Sequence, residues 1–145
     1  MKRMLSVACL LFSFALAVSL SAQAPTAGMK IASEADYATH MKEIGQLNGV
    51  LNKSIKGAMA DEASKAAQRM EVLFKNVHAY WAAKKVSDAT TAAESAVTGL
   101  QATQKALAAN DMAAAETARA TVAAQCMACH TAHREKLPEG GFKMK

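Results

Sequence analysis

Apolar positions along this chain recur at steps of three and four, and four such stretches follow one another. Tyr37, Met41, Ile44, Asn48, Leu51 and Ile55 fall on one face of a helix that runs to about Lys56. Ser33 is placed to cap its start, with Glu34 and Asp36 in the first turn, and Gly57 is placed to end it. A second helix is expected from Asp61, with Ala63, Ala67, Met70, Leu73, Phe74, Val77 and Trp81 inward. Ser87 and Asp88 open a third, carrying Ala89, Ala93, Ala96, Val97, Leu100 and Leu107. Asn110-Asp111 reads as turn and cap together, and the fourth helix is expected from about Met112 to Lys136, with Ala115, Val122, Cys126 and Cys129 along one side. Pro138-Glu139-Gly140-Gly141 stops it, and no period-two pattern of β-branched residues signals a strand. The fold class that follows is all-α: four helices on short connections, an antiparallel up-down-up-down bundle.

The first residues have a different grammar. Lys2 and Arg3 precede an apolar run from Met4 to Leu20, then Ser21-Ala22-Gln23-Ala24-Pro25. A basic start, an apolar core and a small-x-small exit predict a secretory leader over 1–24, cleaved after Ala24. An uncleaved anchor is the alternative, since the run approaches bilayer-spanning length. Residues 25–32 read as a flexible segment, 33–137 as the helical domain and 138–145 as a tail. Cys9 leaves with the leader, so two of the three cysteines remain, Cys126 and Cys129.

These two belong to Cys126-Met127-Ala128-Cys129-His130, and Cys-x-x-Cys-His is the attachment signature of a c-type haem. On a helix, residues three and four apart share a face. Both sulfurs can therefore reach the two haem vinyl groups, while His130 lies beneath the ring with its imidazole toward the iron. Three other readings compete. A thioredoxin-like pair wants a helix N-terminus to favour thiolate, and here a long helical run precedes the cysteines. Zinc held by Cys126, Cys129, His130 and His133 would crowd four ligands into one helix. A Cys126–Cys129 disulfide would close too small a loop to stabilise much. One covalently attached haem c is the expected cofactor. Alanine is abundant and large apolar side chains are few, so a porphyrin between helices would supply missing apolar area and leave the haem-free chain marginally stable.

Composition narrows the partners. The formal net charge is +5, and Lys2 and Arg3 leave with the leader. Lysines are scattered and no aromatics interleave with them, so nucleic acid is not an expected partner. Weak, transient docking to redox proteins is expected, with no membrane contact beyond the cleaved leader. Export suits the chemistry, because haem is attached in this way outside the bacterial cytoplasmic membrane, and the expected address is periplasmic. No residue group reads as a general base or nucleophile, so no enzyme activity is expected.

With one such motif on the last of four helices, the chain resembles the class II c-type cytochromes, cytochrome c prime and its low-spin relatives of the cytochrome c556 type. Cys126, Cys129, His130 and Arg134 match the family's Cys-x-x-Cys-His-x-x-x-(Arg/Lys), and Met41-Lys42-Glu43-Ile44-Gly45 is similar to the Met-Lys-x-Ile-Gly of the low-spin branch. The resemblance spans about 33–136. It implies His130 as proximal and Met41 as distal iron ligand, hence a one-electron carrier. The rival is a five-coordinate protein that binds nitric oxide or carbon monoxide, with Met41 merely lining an apolar pocket. Where many members carry Arg, this chain has Tyr37; Lys42, Arg134 or His133 would then meet the haem propionates. Arg134 also has a plain reading as a cation favoured by a helix C-terminus, and related proteins are often homodimers.

Other residues are weighed one by one. His40 lies about 100° around the helix from Met41 and is expected in solvent. His78 is expected partly buried and hydrogen-bonded, with bis-His coordination the alternative. His133 should edge the haem, and Phe74, Tyr80 and Trp81 should pack around it.

Overall fold

The computed structural model describes residues 30–145. The expected leader, its cleavage site, Cys9 and the segment up to Met29 lie outside the described residues. Four helices pack against one another: α1 (Glu34–Lys56), α2 (Ala60–Ala83), α3 (Ser87–Ala108) and α4 (Met112–His133). α2 packs on α3, α3 on α4 and α1 on α2, whereas α1 and α4 touch only sparsely. Among the described residues, no helix is long and apolar enough to cross a membrane.

Local chemistry explains the boundaries. Ser33 is extended, its Oγ accepts from the Asp36 N–H at 3.1 Å, and Asp36 Oδ2 accepts from the Ser33 N–H at 2.9 Å. This reciprocal box satisfies donors that the first turn leaves without partners. Asp111 caps α4 by accepting from the Ala114 N–H at 2.9 Å. The three connections share one device. Met59 N donates to Ser54 O, Val86 N to Trp81 O and Asp111 N to Ala106 O, each after a left-handed residue, Ala58 (φ 53), Lys85 (φ 59) or Asn110 (φ 55). These are Schellman closures. Gly57 ends α1 as expected, standing at its C-cap with φ −88, and Ala58 supplies the left-handed residue of the turn.

The buried core is drawn chiefly from α2 and α3, with Met70, Leu73, Trp81 and Leu100 among its larger members. From α1 come Tyr37, His40, Ile44, Leu51, Ser54 and Ile55. α4 contributes only Ala115 and Val122 as fully buried residues. Two expectations are corrected here. His40 is 4 % exposed and not in solvent: one ring nitrogen meets the Asp36 carbonyl at 2.9 Å and the other faces Asn76 Nδ2 at 3.5 Å. Its polar atoms are satisfied inside the helix pair, which removes the cost of burial.

α4 also ends three residues early. Arg134 is extended (φ −121, ψ 129), and β1 (Arg134–Lys136) pairs antiparallel with β2 (Phe142–Met144) in the register Arg134 to Met144, where no strand was expected. Gly140 (φ 94) and Gly141 (φ 83) supply the left-handed backbone of the turn. The residues after Leu137 therefore do not trail away. Lys145 N donates to His133 O at 3.0 Å and Lys145 Nζ to Thr131 O at 3.2 Å, tying the chain end to carbonyls of α4 that have no helical partner.

Candidate functional site

The sparse α1–α4 side holds a cavity of about 540 Å³. α1 lines it with Tyr37, Met41 and Lys42, α4 with Cys129, His130 and His133, and the hairpin with Arg134, Phe142, Lys143 and Met144. A chamber of about 40 Å³ continues inward between Ile44, Phe74 and Val77, and there Cys126 joins Tyr37, Met41, Cys129 and His130. Met41, Cys129 and His130 line both spaces, Arg134 lines the larger one and Cys126 the smaller. Helix periodicity explains the convergence. The three motif residues share one face of α4, and Met41, one turn after Tyr37, sits at the edge of the buried stripe of α1 where that helix parts from α4.

Burial sets the protonation of the site. It pushes both cysteine thiols above their ordinary range, helped at Cys126 by Cys129 and at Cys129 by the carboxylate of Asp88. Both cysteines are unbridged and carry their protons, which is the opposite of the activated thiolate that a redox pair needs. Burial, then the nearby Arg134 guanidinium, pushes His130 below the ordinary histidine value. Its imidazole is neutral and keeps a lone pair. No group of three or more His, Cys, Asp or Glu side chains is arranged to hold a metal ion among the described residues.

The rim is cationic. Lys42, Arg134 and Lys143 face Glu34, the one carboxylate in the lining. The Arg134 guanidinium lies over the Phe142 ring, 3.9 Å from its centroid, and Lys143 Nζ is 3.3 Å from Glu135 Oε2. His133 meets Asp88 Oδ2 at 2.8 Å, and its ring lies 5.1 Å from Trp81. Behind Tyr37, Trp81 meets its ring edge-on at 5.7 Å and Tyr80 lies tilted against it at 5.0 Å, so these aromatics pack in the core, and of the three only Tyr37 lines the cavity. His78 is half-buried and lines neither space. Phe142, Lys143 and Met144 were missed from sequence: three-residue strands carry no readable period, and only the Gly140-Gly141 turn hinted that the chain returns.

No protein-family model, curated protein or solved structure matches this chain.

Proposed function

We propose that this chain is an exported, periplasmic c-type cytochrome of the class II kind, an antiparallel up-down-up-down bundle that carries one electron at a time to weakly docking redox proteins. The observation that carries the reading is that Cys126, Cys129 and His130 line one space together with the thioether of Met41. The residues fit the group. A cavity of about 540 Å³ lies within the range of roughly 300–1,000 Å³ that suits a cofactor. Its lining joins sulfur, imidazole and cations, the donors that an iron porphyrin with two carboxylates requires.

Cys126 and Cys129 would tether the haem. Their thiols would supply the sulfurs of two thioether bonds, each S–H going across one vinyl group so that no oxidant would be needed. His130 would hold the iron through its neutral nitrogen, and Met41 would offer its sulfur from α1. Arg134 and Lys42 would balance the carboxylates at the rim. When bound, the haem supplies the Fe(II)/Fe(III) couple, and a methionine ligand favours the reduced state. Met41 on α1 and His130 on α4 would be held by the packing of both helices on α2 and α3, which would limit rearrangement as the charge changes, and Ile44, Phe74 and Val77 give the inner chamber an apolar wall.

One observation favours the five-coordinate, gas-binding reading. The chamber of about 40 Å³ beside Met41 is almost wholly apolar, and it is roomy enough for a small molecule while offering water few partners. Absorption spectra of the haem-loaded protein, with and without carbon monoxide, separate the two. The carrier gives a low-spin ferric spectrum with a methionine-to-iron band at the red end and resists carbon monoxide. Met41→Ala should turn the iron high-spin while haem stays attached. An unchanged low-spin spectrum in that variant would show that Met41 is not the ligand.

A further inference from the structure

Tyr37 carries a buried donor that the electron-transfer reading does not use. It is 8 % exposed and lines both the cavity and the inner chamber. Its oxygen accepts from Trp81 Nε1 at 3.1 Å, and its ring is gripped by Tyr80 and Trp81. The hydroxyl's own proton meets no acceptor among the described residues. Buried polar hydrogens nearly always find a partner, and the empty space that Tyr37 lines is the cavity and its inner chamber. Burial pushes the phenol up to about 12, so the proton stays on. With Lys143 paired to Glu135, the cavity is still lined by Lys42 and Arg134 against the carboxylate of Glu34, a balance that favours an anionic occupant. Arg134 is held above Phe142, and no carboxylate pairs with its guanidinium among the described residues.

We propose that Tyr37 is a carboxylate-binding residue of this cavity: its O–H, oriented by Trp81, donates to a carboxylate oxygen of the occupant, with Arg134 and Lys42 supplying the opposite charge. The assignment rests on the cytochrome reading, in which that carboxylate is a haem propionate. Trp81 is a positioning residue, because it fixes the phenol oxygen and so the direction left for the proton. A neutral donor stabilises the carboxylate while adding no charge beside the iron, so its loss should appear in the carboxylate's titration more than in haem attachment.

The test is the midpoint potential of the haem-loaded protein as a function of pH, with intact mass and helical content measured on the same samples. Groups facing this region are Glu34 and Lys42 from α1, Tyr80 from α2, His133 from α4, and Arg134 and Lys143 from the hairpin. The other carboxylates are Glu34 in the lining, Asp88 against His133 and Glu135 against Lys143, so Glu34→Gln, Asp88→Asn and Glu135→Gln serve as controls. The wild type should show one carboxylate inflection, which each control leaves in place. Tyr37→Phe should move it upward by about one pH unit, since a hydrogen bond to the charged form is lost. If Tyr37→Phe loses helical content, Trp81→Phe takes its place, and a smaller upward movement is expected.

A wild type without the inflection, an inflection abolished by any of the three controls, or one unmoved in Tyr37→Phe overturns the assignment. If helical content is lost, an unmoved inflection in Trp81→Phe has the same force. A wild type at bare polypeptide mass overturns the cytochrome reading and this assignment with it, whereas an unmoved inflection in a haem-loaded variant overturns this assignment alone.

Discussion

A Cβ added at Gly99 on α3 would come within 2.7 Å of Val122 Cγ2 on α4, while one added at Gly45 on α1 would meet nothing within 4 Å. The first glycine lies where α3 and α4 press together, with Thr103, Leu100 and Val122 fully buried around the seam. The second lies one turn after Met41, and Asn48 and Asn52 follow it along α1 with buried Oδ1 atoms that have no partner among the described residues. Gly99 lets the α3 and α4 backbones close to van der Waals contact, whereas Gly45 is an exposed position of α1, the helix that meets α4 only sparsely. The open side is where the cysteines, His130 and Met41 gather, so the molecule concentrates its cohesion on α2 and α3 and its chemistry on the seam that they hold apart.

Substitutions can break or sharpen that contrast, read as free energies from denaturant unfolding. Leu100→Ala, in the closed half, should cost roughly 2–5 kcal/mol. Met41→Ala, half-buried beside the cavity, should cost well under half as much, and equal losses would erase the distinction. Gly99→Ala should destabilise by about 1–2 kcal/mol, because Val122 must move and the clash exceeds the gain in helix propensity. Gly45→Ala should do the reverse and stabilise by about 0.4–1 kcal/mol, as the helix gains a residue with less freedom to lose. The same exchange with opposite signs is the sharpest stability test of the contrast.

The smallest expected effect is a pH dependence. The Lys75 ammonium, then the amides of Gln101 and Gln104 on α3, hold the Glu71 carboxyl below its ordinary 4.5, against the opposing effect of burial. A depressed carboxyl stabilises the fold fully above its unfolded value and loses that contribution as pH falls through its folded value. Stability measured from pH 6 down to about 3 should therefore fall less steeply in Glu71→Gln than in the wild type. Parallel acid limbs would mean that the α2–α3 bridge contributes nothing.

Much of the fold was legible because its signals are local. The Ser33 and Asp111 caps and the inward stripes of α2 and α3 need only neighbours along the chain, and they stand where the pattern puts them. What was misread depends on distant partners. His40 looks solvent-bound on a helical wheel and is buried because the Asp36 carbonyl and Asn76 of α2 accommodate its nitrogens. Arg134-Glu135-Lys136 looks like the charged end of a helix, and it becomes a strand only because Phe142–Met144 returns to pair with it. The candidate site was legible through Cys126, Cys129 and His130, whose spacing is itself the signal. Met41 stood out by resemblance, and the hairpin wall of the cavity had no signature beyond Gly140-Gly141.

The central claim is that the open seam takes a haem bound through Cys126 and Cys129. It is tested most directly by the intact mass, after denaturation, of the protein made in a host that attaches haem during export. The account predicts the polypeptide mass plus one haem for the wild type, with Cys126→Ala and Cys129→Ala each losing most of the stably bound fraction. A wild-type protein at the bare polypeptide mass, or a haem that stays attached when both cysteines are replaced, would contradict it.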